Sequence, residues 1–309
     1  MSKCLLTYLT TQNENYSPEG LQSLHKRLDE LKLFPYSQKD QQIEVQRYAG
    51  KLSIQGVQAK LSAKLLVKDQ SFKLVETRGD YILKPQSIHF NELPENEDLT
   101  MKLAKVAGLD TPWHGFIKAR DNSLLYAIKR FDRYGKGKKL HQEDFAQLVG
   151  ATRVTKYQAD MEKVSEVIEK YCSFPTLELP KLLRLTLFSF LVGNEDMHLK
   201  NFSLQTDRKG IIKLTPAYDL LNSSIAMVEP QEEMALSLNG KKHGFTKEDF
   251  IDYYALEYLM MTKPMAQKVL DNILSKKEQM IELINKSFLS KEMKESYLEL
   301  FLSRIKRLE

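Results

Sequence analysis

The chain has 309 residues, 42% hydrophobic and 28% charged, with a formal net charge of +5. That apolar share excludes a mostly disordered chain, and the length predicts two lobes rather than one core. No apolar run approaches the ~20 residues of a bilayer span, the opening residues lack a cleavable leader pattern, and Cys4 and Cys172 are the only cysteines. A soluble, cytoplasmic protein is therefore expected, with no membrane association, disulfide framework or cysteine metal site.

Read in chain order, Lys3–Leu9 alternates like a strand, and Ser17-Pro18 caps a helix with Leu21, Leu24, Leu28 and Leu31 at helical spacing. Lys60–Val67 and Ser71–Glu76 form a hairpin turning at Lys68–Gln70, and Tyr81–Leu83 starts a strand that Pro85 stops. A helix follows Asn96, with Leu99, Leu103, Val106 and Ala107 on one face and Gly108 at its end. Strands then fit Gly115–Ala119 and Leu124–Ile128. Beyond Phe131 the pattern is mostly helical. Leu182–Val192 is apolar on nearly every side, which marks a helix inside a lobe rather than on it. A capping box at Thr246–Asp249 opens further amphipathic helices, broken near Pro264. The sum is an α+β, two-lobed chain: a strand-rich N-terminal lobe over 1–129 and a helical C-terminal lobe over 130–309.

Chemistry concentrates just past the buried helix, in Asn194-Glu195-Asp196-Met197-His198-Leu199-Lys200-Asn201-Phe202-Ser203. Asp196 and Asn201 stand five apart, the separation of base and metal-binding Asn in a kinase catalytic loop. A hairpin follows, Phe202–Leu204 with Ile211–Leu214, and then Asp219 in Pro216-Ala217-Tyr218-Asp219. Phosphoryl transfer needs hard oxygen ligands, a carboxylate near the attacking hydroxyl and a cation on the γ-phosphate. Asp196 is thus the candidate base, Asn201 and Asp219 the magnesium ligands, and Lys200 the γ-phosphate contact. Taken singly, each is equally well an ordinary loop or capping residue; the ordered set carries the reading. In the N-terminal lobe Lys84 ends a strand and Glu97 opens the next helix, a potential ion pair on the ATP phosphates. The loop Ser53–Lys60 precedes a strand, where a phosphate-covering loop belongs, but holds the single glycine Gly56.

The motifs Ser53-Ile-Gln-Gly-Val-Gln-Ala-Lys60, Ile82-Leu-Lys84-Pro, Glu95-Asn-Glu97, Arg130-Phe-Asp-Arg133, His141-Gln-Glu-Asp144, Gly193–Ser203 and Pro216-Ala-Tyr-Asp219 resemble, in order, those of the HipA-like serine/threonine kinases, toxins of bacterial toxin–antitoxin modules. The likeness covers roughly residues 50–290. The layout before Ser53 resembles that of the short HipT kinases, which implies one family subdomain fewer and a module that adds a small HipS antitoxin and a DNA-binding HipB. The resemblance implies a protein-kinase-like fold and the use of ATP and Mg2+. Lys84, Glu97, Gln55 and Gly56 would serve the nucleotide phosphates, and Asp196 would be the base. Asn201 and Asp219 would hold magnesium, and His198 would line the nucleotide site. Lys129, Arg130 and Phe131 would hold adenine through the backbone, although Lys129 stands where HipA has an acid. Ser53 matches the autophosphorylated serine, and Gln55 occupies the second serine position of some HipT members. The implied protein substrate is an aminoacyl-tRNA synthetase.

The basic run Arg133–Lys139 reads as a solvated loop or as a face for an acidic partner. No nucleic-acid motif accompanies it, so direct nucleic-acid binding is not expected. His25, His89, His114, His141 and His243 lack metal-ligand spacing. Two other classes stay open at this point: a kinase-fold binding module without turnover, and a small-molecule kinase.

Overall fold

A computed structural model describes residues 2–49, 59–135, 137–152, 155–226 and 232–309. Ser53, Gln55 and Gly56 lie outside the described residues. The chain divides into two compact units, one of Met1–Asp98 and Pro112–Lys138, the other of Leu99–Thr111 and Lys139–Glu309.

The first unit is built on a five-stranded sheet in the order Ser71–Leu74, Leu61–Leu66, Tyr81–Lys84, Leu124–Lys129, His114–Lys118. Every neighbouring pair is antiparallel, with Leu83 opposite Ala127 and Phe116 opposite Tyr126. The alternating apolar residues that predict these strands supply the buried face: Leu61, Ala63, Phe72, Tyr81 and Leu83 are all buried. The hairpin turn falls where expected, with Gln70 in the left-handed region at φ 51°.

The expected strand Lys3–Leu9 is instead a tight hairpin, in which Ser2–Lys3 pairs with Thr10–Thr11. Cys4, Leu5 and Leu6 are consecutively buried, and no single face of a strand can bury three successive side chains. Tyr8 turns the chain at φ 64°, and the Cys4 N–H donates to the Leu9 carbonyl at 2.8 Å. Ser17 caps the helix Pro18–Leu24 by accepting from the Gly20 N–H at 3.1 Å. That helix stops at His25, which is extended, so the buried Leu28 and Leu31 belong to the turn beyond it. The helix Gln38–Ala49 had no sequence signal, because its composition is polar on nearly every side. The helix Leu93–Val106 starts before Asn96 and ends, as predicted, at Gly108 with φ 82°. Its residues from Leu99 onward belong to the second unit.

The second unit is organised around the helix Pro175–Leu191, on which Leu182, Leu183, Leu187, Phe188 and Phe190 are each 0% exposed. Met161–Tyr171, Asp249–Tyr258, Lys263–Leu274 and Lys291–Lys306 pack around it. Pro264 lies in the first turn of Lys263–Leu274, where its missing N–H is not needed. Asp249 Oδ2 accepts from the Thr246 N–H at 2.9 Å, which is half of the expected capping box. A three-stranded antiparallel sheet joins His141–Asp144, Ser203–Thr206 and Ile212–Leu214. Its first strand was not legible, since His141-Gln-Glu-Asp144 has no apolar residue to alternate. No helix among the described residues is long and apolar enough to cross a membrane.

Two measurements check this packing. Leu183→Ala should cost about 2–5 kcal/mol in denaturant unfolding, whereas Leu177→Ala, at a site 62% exposed, should stay within about 0.5 kcal/mol. Burial pushes the Glu95 carboxyl up to about 7, with Glu92 and Asp98 adding repulsion. A carboxyl whose folded pKa is raised lowers stability as pH climbs from its unfolded value toward the folded one. Glu95→Gln should therefore raise the melting temperature at pH 8 and leave it unchanged at pH 4.

Candidate active site

The second unit holds the loop that leaves the buried helix. Gly193 has φ 69°, and a Cβ there would stand 2.7 Å from Ser224 Oγ and 2.8 Å from Asn222 Oδ1. Glycine is required on both counts. The Gly193 carbonyl accepts from the N–H of Ser223 at 2.9 Å and of Ser224 at 3.2 Å. Glu195 turns inward: its N–H donates to Ser223 Oγ at 2.6 Å, and its Oε1 accepts from Ser224 Oγ at 2.5 Å and Arg304 Nη2 at 3.1 Å. Burial still raises its pKa, against the pull of Ser224 and Arg304. Arg304 also donates through Nη1 to the Phe190 carbonyl at 2.5 Å.

Asp196 turns the other way, with its side chain 48% exposed. Tyr157 donates its phenolic O–H to Asp196 Oδ1 at 2.6 Å, and Asn201 Nδ2 donates to the Asp196 main-chain carbonyl at 2.8 Å. With its Nδ2 engaged there, the Asn201 amide keeps its oxygen as an acceptor. His198 caps the short turn Leu199–Asn201, its Nδ1 accepting from the Lys200 N–H at 3.3 Å. Burial holds His198 below the usual histidine range; neighbouring Asp196 opposes that shift, and the charges of Lys156 and Lys200 add to it. The Lys200 carbonyl accepts from Tyr218 O–H at 3.0 Å, and Tyr218 also meets Ser203 Oγ at 2.6 Å. Tyr218 thereby ties the residue before Asn201 to the residue before Asp219. Asp219 adopts φ 54°, a left-handed conformation rare outside glycine and a mark of a constrained site.

Asp196, His198, Lys200 and Asn201 thus share one turn, and Tyr218 ties Asp219 to it. The oxygen of one amide and one carboxylate is a donor set suited to Mg2+, which keeps several of its waters. Among the described residues no group of three His, Cys, Asp or Glu forms a richer metal site.

In the first unit Lys84 and Glu97 form a buried ion pair, 2% and 0% exposed at the side chain. Lys84 Nζ also lies 5.6 Å from the Tyr126 ring centre. Strand pairing places Lys84 opposite Tyr126, while Glu97 comes from the buried face of the following helix. The predicted adenine segment is already engaged: the Lys129 N–H donates to the Trp113 carbonyl and the Arg130 N–H to the Asp80 carbonyl, both at 2.8 Å. Any contact to an adenine edge would fall to carbonyl oxygens or to Phe131. Arg130 itself grips Asp132 with two hydrogen bonds, of 2.9 and 2.7 Å. Sequence reasoning did not single out Tyr157, Glu195, Tyr218 or Arg304. All but Tyr218 act through contacts at least 28 positions distant in the chain, beyond the reach of any local pattern.

Residues 52–287 match the model of the HipA-like C-terminal domain family. The chain is 28% identical over 305 residues to a Haemophilus influenzae protein named "Putative kinase", across 89% of this chain and 87% of that protein. It is 29% identical over 209 residues to the serine/threonine-protein kinase toxin HipA of Shewanella oneidensis, across 61% of this chain and 47% of that protein. A Sinorhizobium fredii relative, "Putative kinase Y4mE", is 33% identical over 62% of this chain and is likewise spanned over only 47% of its length. Among solved structures, the fold is similar to a chain of the Shewanella oneidensis MR-1 complex of HipA, HipB and operator DNA. That match has a TM-score of 0.70 and 22% identity, covering 91% of this chain and 72% of that one. The Helicobacter pylori proinflammatory kinase CtkA matches with a TM-score of 0.53 at 15% identity, over 74% of this chain and 86% of that one. The expected fold class, α and β in a kinase-like arrangement, is borne out. With the family model covering most of its length, the chain belongs to the HipA-like C-terminal domain family.

Proposed function

We propose that the chain is an ATP- and Mg2+-dependent serine/threonine protein kinase, the toxin of a bacterial toxin–antitoxin module. The observation that carries this reading is the catalytic turn: an outward Asp196, an Asn201 whose amide is braced on that residue's own carbonyl, and Asp219 tied to the turn through Tyr218. In this reading residues 1–129 form the nucleotide lobe and 130–309 the catalytic lobe. Lys84, held by Glu97, neutralises the α- and β-phosphates, and Lys200 meets the γ-phosphate. Asn201 and Asp219 would hold magnesium, which lowers the charge repulsion met by an incoming nucleophile. Asp196 accepts the proton of an acceptor hydroxyl as that oxygen bonds the γ-phosphorus and the bond to the ADP oxygen breaks. His198 stays neutral near pH 7 and lines the nucleotide site without adding charge.

The finer assignments rest on the family resemblance. They are the HipT type, HipS-like and HipB-like partners, an aminoacyl-tRNA synthetase as protein substrate, and autophosphorylation at Ser53. A phosphate at Ser53 would add about −1.5 to −2 charges to a loop that must approach ATP, so it would weaken nucleotide binding.

Incubation with γ-labelled ATP and Mg2+, followed by intact-mass measurement, should show one added phosphate on the wild-type chain. Asp196→Asn should slow the transfer by about 10²–10⁴-fold, with ATP still bound. Lys84→Met should weaken ATP binding itself. A wild-type chain that binds ATP without transferring phosphate to itself, to protein or to water would instead be a kinase-fold binding module.

A further inference from the structure

Lys156 and Tyr157 lean on the catalytic turn. The Lys156 carbonyl accepts from the Leu199 N–H at 3.4 Å. The Tyr157 ring stands edge-on to the His198 ring, 4.9 Å between centres and 81° between planes. Lys156 Nζ lies 4.6 Å from the Tyr157 ring centre, and the Gln158 N–H closes the bend on the Thr155 carbonyl at 3.0 Å. These contacts fix the phenol, and its hydroxyl reaches Asp196 Oδ1 at 2.6 Å.

A half-exposed aspartate rotates freely about two side-chain bonds unless something holds it. Here Asn201 braces only the main-chain carbonyl, and His198 Nε2 is 3.8 Å from Asp196 Oδ1, beyond a normal hydrogen bond. Tyr157 is the group that reaches the carboxylate at hydrogen-bond distance, and a tyrosine orders few torsions in doing so. We propose that Tyr157 is a positioning residue for phosphoryl transfer: it holds Asp196 by Oδ1 so that Oδ2 faces the acceptor hydroxyl. This rests on the reading of Asp196 as the base. Partial burial and the adjacent carboxylate keep the phenol protonated far above neutral pH, so Tyr157 serves as a donor and not as a second base.

Tyr157→Phe removes the hydroxyl and leaves the ring against His198. In a purified full-length chain with γ-labelled ATP and Mg2+, label transferred to protein and to water is followed together with ATP affinity and melting temperature. The expected result is a fall in kcat of about 10–100-fold, the usual effect of a misplaced reacting group, with KM for ATP within about two-fold and the melting temperature unchanged. In an Asp196→Asn background the same substitution should have no further effect on the residual rate, because the hydroxyl acts only through that carboxylate. Equal or faster transfer by Tyr157→Phe overturns the inference alone, a faster rate meaning that the hydroxyl competes for the acceptor's place. A loss of rate that persists in the Asp196→Asn background, or a lowered melting temperature with raised KM, also overturns it. A wild type inert with ATP overturns the kinase reading itself, and an Asp196→Asn variant as active as the wild type overturns the reading of Asp196 as the base, and this inference with it.

Discussion

The C-terminal half of a central helix is buried, so that helix ends inside the protein, where its last carbonyls have no water to turn to. The helix Pro175–Leu191 meets that constraint at its C-terminus. The Phe188 carbonyl takes the Val192 N–H at 3.0 Å, Ser189 takes Asn194 at 2.9 Å, and Phe190 takes Gly193 at 3.2 Å together with the Arg304 guanidinium. A cation at a helix C-terminus also opposes the negative end of the helix dipole. Because the same guanidinium holds Glu195, the device that terminates the helix fixes the loop that follows it. The left-handed Gly193 then lets Ser223 and Ser224 close over its carbonyl, which brings the segment after Asp219 against the loop before Asp196.

The Lys84–Glu97 pair answers to a different balance. Taking both charges out of water costs several kcal/mol per ion, and their attraction returns that only with good geometry. An apolar pair of the same volume would serve the first unit's core at least as well. The retained pair makes sense if Lys84 must keep a charge and a fixed direction for a polyanion, a requirement of binding and not of folding. Tyr126, opposite Lys84 in the sheet, adds a ring face that tolerates the buried ammonium.

What could be read from the sequence follows the same divide between local and distant causes. Strands Leu61–Leu66, Ser71–Leu74 and Tyr81–Lys84 announce themselves by alternation, the buried helix by the apolarity of Leu182–Val192 on nearly every side, and the Ser17 cap by a hydroxyl before proline. The polar helix Gln38–Ala49 and the strand His141–Asp144 carry no apolar period, so nothing local distinguishes them from loops. The candidate turn was legible as a spacing, Asp196 to Asn201, and Lys84 with Glu97 as a plausible pair. What sets the turn's conformation was not: Arg304 lies 109 positions from Glu195 and Tyr157 lies 39 from Asp196. The Lys129 and Arg130 N–H groups donate to the Trp113 and Asp80 carbonyls, partners that no local pattern reveals.

The neighbouring acids Glu195 and Asp196 show why spacing alone cannot assign a role. Both stand in a loop rich in polar groups, and either could be read as the base. The chain turns at these two residues, and only one of them faces the interior. Glu195 does, with its side chain 4% exposed and its Oε1 taken by Ser224 and Arg304. A carboxylate so enclosed is out of reach of any acceptor hydroxyl, whatever its proton affinity. Asp196 keeps its side chain half in solvent, with one oxygen fixed by a hydroxyl. General-base chemistry requires geometry before it requires a favourable pKa. On that criterion the inward residue secures the loop, and the outward residue is the one that an incoming hydroxyl can meet.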